Sequence, residues 1–115
     1  MRIAIIGSRE LNGGEERCYE KICENVPRNC TEIVSGGAGG IDTLAEKYAR
    51  EHSLLLKKFE PEYGRYGKTA PLNRNIQIIE YANFVLAFWD GKSRGTAQAI
   101  KKCCEIDKPI EIFFI

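Results

Sequence analysis

Four glycines lie in the five residues from Gly36 to Gly40, interrupted only by Ala38, with Ser35 in front and Asp42 just behind. An apolar run closing at Ile33 and Val34 precedes them. Leu44, Ala45, Tyr48 and Ala49 follow at the spacing of one helix face. Strand, glycine loop and helix is the arrangement in which backbone N–H groups and a helix N-terminus converge on an anion. The spacing is not that of a Walker A loop, which needs Gly-Lys-Ser/Thr where this chain has Gly40-Ile41-Asp42. Nor does it complete the dinucleotide fingerprint G-x-G-x-x-G: Gly37-Ala38-Gly39 matches its first half, and Asp42 stands in place of the third glycine. An acid in the first helical turn repels a phosphate unless it faces away. Asp42 is therefore expected to cap the helix or to meet a ribose hydroxyl.

Two arginines offer planar forks to a phosphate. Arg9 comes directly after Gly7 and Ser8 behind the first predicted strand, and Arg74 sits beside Asn75 at the start of the third long helix. Gly95-Thr96 opens the fourth, where free N–H groups offer a second anion site. Tyr63, Tyr66 and Trp89 are candidates for stacking on a base. The carboxylates placed to act as a general base are Asp42, Asp90 and Glu62. His52 falls at the far end of a helix, so no Ser-His-Asp set is assembled with it. Binding is expected ahead of catalysis, and no catalytic residue is assigned. The candidate ligand set is Gly7, Ser8, Arg9, Ser35, Gly36, Gly37, Ala38, Gly39, Gly40, Asp42, Arg74, Asn75, Asp90, Gly95 and Thr96.

The elements that must position these residues follow from periodicity. Strands are expected at residues 2–6, 31–35, 54–59, 84–89 and 110–115. Long helices are expected at 14–26, 42–52, from 71 or 73 to 82, and from 96 to 106. Residues 60–70 read as the longest irregular piece. Lys57 and Lys58 place the third strand near a sheet edge, and the apolar run at 84–89 marks a central strand. Strands alternating with helices predict an α/β fold: a Rossmann-like, three-layer α/β/α sandwich on a mostly parallel five-stranded sheet. Right-handed crossovers then bring the loops bearing Arg9, the glycine run, residues 60–75 and 90–96 to one edge of that sheet.

A chain of 115 residues is expected to form one domain over its whole length. Its formal net charge of +1 argues against a protein that works by neutralising a polyanion with bulk charge. No stretch has the length of a membrane span, so neither a membrane partner nor a location outside the cytoplasm is expected. Five cysteines without a C-x-x-C pair read as reduced thiols, and a single histidine argues against a metal site. The composition leaves room for a homo-oligomer.

Ser35-Gly36-Gly37-Ala38-Gly39-Gly40-Ile41-Asp42 is similar to the Ser-Gly-x-Ala-x-Gly-Ile-Asp motif of the Rossmann-like domain in the DNA-processing protein A (Smf) family. Gly7-Ser8-Arg9, Tyr66-Gly67-Lys68, Asn73-Arg74-Asn75 and Gly95-Thr96-Ala97 resemble the small bacterial and phage YspA-like proteins of the SLOG superfamily. The resemblance implies a nucleotide or nucleotide-derived ligand at the glycine loops, and no other cofactor. A sister family, the LOG phosphoribohydrolases, carries Pro-Gly-Gly-x-Gly-Thr-x-x-Glu. Here the Pro-Gly-Gly is absent and Ala99 stands at the position of the catalytic Glu. A nucleotide-processing hydrolase is thus one alternative to a binding module. A single-stranded DNA binder like the DNA-processing proteins is the other.

Overall fold

In the computed structural model, which describes residues 1–115, the first strand β1 (Arg2–Gly7) buries Ile3, Ala4, Ile5 and Ile6 in succession. A strand without in–out alternation has both faces covered. β1 lies between β2 (Glu32–Ser35) and β4 (Phe84–Trp89); β3 (Leu55–Lys58) flanks β2, and β5 (Ile110–Phe114) flanks β4. Every pairing in the order β3-β2-β1-β4-β5 is parallel. The sheet is therefore wholly parallel, and β1 rather than β4 is its middle strand. Hydrophobicity marks both as interior strands but does not say which neighbours each takes.

Helices α1 (Glu15–Asn25) and α2 (Ile41–Glu51) cover one face. Cys18, Ile22, Leu44 and Tyr48 pack there with Cys30, Ile33 and Phe88. A short helix α3 (Tyr63–Tyr66) and a 3-10 turn (Gly67–Thr69) lead into α4 (Ala70–Tyr81). Residues 60–70, expected to be irregular, are thus partly helical; four residues are too few to show an apolar period. With α5 (Arg94–Glu105), α4 covers the other face, where Ile78, Ile79, Ala99 and Cys103 meet Ala4, Val34 and Val85. Cys104, one step around the helix from Cys103, is exposed, and all five thiols are free. No helix is long and apolar enough to cross a membrane.

The two edges differ. Every residue of β3 is exposed, Leu55 by 70%, and Lys57 and Lys58 stand beside the leucines. On β5, Phe114 is 64% exposed and leans on Trp89, with ring centroids 5.9 Å apart. The chain runs outward from β1 to β3, then returns to β4 on the opposite side of β1. Loops after β1 and β4 consequently diverge, and the crevice between them is where ligands enter open α/β sheets.

Candidate functional site

The crevice is a cleft of about 500 Å³ lined by Gly7, Arg9, Glu10, Ala38, Asp42, Arg74, Asn75, Asp90, Lys92, Ser93, Gly95 and Thr96, over a floor that includes Ile78 and Ala99. Ser8 ties its walls together from beneath. Its N–H donates to the Phe88 carbonyl at 3.0 Å, its Oγ accepts from the Asp90 N–H at 3.0 Å, and its carbonyl accepts from the Ile41 N–H at 3.1 Å. Two glycines permit this junction. A Cβ on Gly7 would strike the Phe88 carbonyl and come within 2.7 Å of Ile41 Cγ1; one on Gly40 (φ 65°) would strike the backbone of Arg9 and Ser8. Ser8 and Gly40 therefore serve as joints and do not line the cleft.

The glycine loop as a whole corrects the expectation of a simple phosphate cradle. Of residues 35–40 only Ala38 lines the cleft. Ser35 is fully buried, Gly36 lies under the Arg74 guanidinium, and a Cβ on Gly37 would meet the Lys58 side chain. The N–H of Ala38 donates to Asp42 Oδ2 at 3.1 Å, and that of Ile41, the first of α2, goes to Ser8. The N–H groups of Gly36, Gly37, Gly39 and Gly40 have no partner in the chain.

Asp42, in the first turn of α2, is only 8% exposed, and one carboxylate oxygen closes the loop onto Ala38 while the other has no hydrogen-bond partner. Burial pushes its carboxyl up to about 6, against the Ala38 N–H and the charges of Arg74 and Arg9, and Glu46 adds to the rise. Arg74, in the second turn of α4, is 7% exposed. Its Nε donates to Asn75 Oδ1 at 2.8 Å and its Nη1 to the Gly36 carbonyl at 2.6 Å, while Nη2 has no partner. Burial lowers the Arg74 pKa, and Asp42 opposes that. The ion pairs of the molecule are Lys58–Glu46 and Arg65–Glu62, so Arg74, Arg9 and Lys92 face the cleft without a carboxylate within 4.0 Å.

Asp90 lines the cleft, but its Oδ1 accepts from the N–H groups of Lys92 and Ser93, each at 2.8 Å, which hold its pKa below the ordinary range. It shapes the turn into α5. Gly95 and Thr96 fall inside the first turn of that helix, which begins at Arg94, and Thr96 Oγ1 lies 3.2 Å from Ser93 Oγ. Glu62, a candidate base, is away from the cleft and pairs with Arg65 at 3.8 Å. The candidate stacking residues also lie elsewhere: Trp89 donates to the Ser93 carbonyl and packs on Phe114, and neither Tyr63 nor Tyr66 reaches the lining. His52 stacks on Tyr48 with centroids 3.9 Å apart at the far end of α2. Sequence reasoning missed Glu10, Lys92 and Ser93, although each lies within two residues of one it chose in the same two loops.

The model of the family described as DNA recombination-mediator protein A matches residues 1–58, from β1 through the glycine loop to β3. The chain belongs to this family. A solved structure of DNA processing protein A from Helicobacter pylori, described for its single-stranded DNA binding mode, is similar to it in fold, with a TM-score of 0.75 at 20% identity. The likeness covers 97% of this chain and 64% of that one, so this chain spans less than two thirds of that relative. No curated protein matches the sequence. Arg74, Asn75 and the α5 wall of the cleft lie beyond the part that the recombination-mediator model matches.

Proposed function

We propose that this recombination-mediator family member binds a nucleotide, with its phosphate held in the cleft between the β1 and β4 loops. The observation that carries the reading is Arg74. A guanidinium this deeply buried, with no carboxylate within 4.0 Å and Nη2 unpaired, is costly to leave alone; an anion in the cleft would relieve it. Arg9 and Lys92 add charge from the two diverging loops. The cleft volume suits one nucleotide.

Nucleoside mono- and diphosphates should raise the melting temperature by several degrees once in large excess over their Kd, because a ligand of the native state stabilises it by mass action. Arg9→Ala, at an exposed position, should weaken the effect and leave the ligand-free melting temperature unchanged. A panel of nucleotides at millimolar concentration that produces no shift refutes the reading. A second reading, single-stranded DNA lying across the same edge, is favoured by the family match and the Helicobacter relative. In that case oligonucleotides bind far more tightly than mononucleotides.

A further inference from the structure

Resting on the nucleotide reading, we propose that Asp42 selects ribonucleotides over their deoxy counterparts by accepting a hydrogen bond from a ribose hydroxyl. The cleft contains one carboxylate oxygen that is built in yet unused. Asp42 is 8% exposed, its Oδ2 is fixed by the Ala38 N–H, and its other oxygen borders the cleft without a donor. The remaining acids do not offer this. Asp90 is engaged by two backbone N–H groups, and Glu62 is remote. Glu10 also borders the cleft, but it is exposed and can turn to water.

The chemistry of that oxygen narrows its partner. An ionised carboxylate accepts and never donates, so it repels a phosphate and draws a hydroxyl or amine. Asp42 and Arg74 line the same cleft and hold the same short loop, Asp42 at the Ala38 N–H and Arg74 at the Gly36 carbonyl, so the carboxylate stands on the side of the cleft proposed to hold the phosphate. The part of a nucleotide that adjoins its phosphate is the sugar, whereas the base is further off. The donor that fits is therefore a ribose hydroxyl. A carboxylate facing 2′-deoxyribose would be left desolvated and unpaired, which is how polar sites reject analogues lacking one hydroxyl. The inner residues of a DNA strand present no free sugar hydroxyl at all.

Titration of the wild-type protein with ribo-, 2′-deoxy- and 2′,3′-dideoxynucleoside monophosphates on the same bases tests this without any mutation. The ribonucleotide should bind roughly tenfold or more tightly than the 2′-deoxy and the dideoxy forms alike, the scale of one charge-assisted hydrogen bond, and equal binding of the ribo and 2′-deoxy forms overturns the inference. Asp42→Asn keeps an oxygen for the Ala38 N–H and should remove most of that ratio while still binding the phosphate. Equal affinity for all three sugars overturns the inference but leaves nucleotide binding standing; binding of none overturns both. Discrimination that follows the base, or that needs added magnesium, assigns the free oxygen to an amine or a cation and also overturns it.

Discussion

Asp42 and Arg74 are among the least exposed charged residues of the molecule, and neither is matched by a close opposite charge. For Asp42 the cost can be read in pH. Its carboxyl stands at about 6 in the folded protein against an ordinary 3.8, so the native state holds the proton more tightly than the unfolded chain. The stability this site contributes is fully present below about pH 3.8 and is lost as pH rises through about 6. The gap is worth on the order of 2–3 kcal/mol. Urea unfolding of the wild type and Asp42→Asn at pH 4 and pH 7.5 should show the wild type losing that much relative to the variant. At neutral pH the variant should be the more stable protein, as happens where a functional residue is held at the expense of the fold. Parallel pH profiles for the two proteins would mean that the carboxyl is well solvated.

At the scale of elements, the end of β1, the end of β4 and the start of α2 are joined by contacts that tolerate no side chain. Gly40→Ala would force a left-handed backbone on a residue that disfavours it and drive a methyl into Arg9; a loss of about 3 kcal/mol or more is expected. Gly39 has nothing within 4 Å of an added Cβ, and Gly39→Ala should shift stability by less than about 1 kcal/mol. Denaturant melts of the two variants check this, and similar losses in both would contradict the junction. These roles could not be read from the sequence. Four glycines announce a tight loop, but Gly40 meets Arg9 and Gly7 meets Phe88 and Ile41 only after the chain has folded. The strands and long helices were legible, because burial on one face or two leaves a period of its own. The sheet order, the short α3 and the turning of Trp89 away from the cleft depend on neighbours distant in sequence. Arg74 was legible as a polar residue inside an apolar stripe, whereas its pairing with Gly36 was not.

For the whole molecule, a formal net charge of +1 means that little long-range field assists an anionic ligand. If a single DNA strand uses the cleft, Arg9, Arg74 and Lys92 are the cations it meets, and a plot of log affinity against log salt should have a slope of about −2. Fluorescence anisotropy of a labelled oligonucleotide over a salt series measures it, and a much steeper slope would place the strand on a wider surface. The sheet also walls off two half-cores, and each contains a thiol almost wholly out of reach of solvent: Cys18 under α1 and α2, Cys103 under α5. A thiol reagent therefore finds Cys23 and Cys104 at once and must wait for Cys18 and Cys103 until their side of the sheet opens. The protein thus has a separate clock in each compartment. Matching rates at Cys18 and Cys103 would mean that both halves come apart as one unit, and diverging rates that one layer peels from the sheet while the other stays closed.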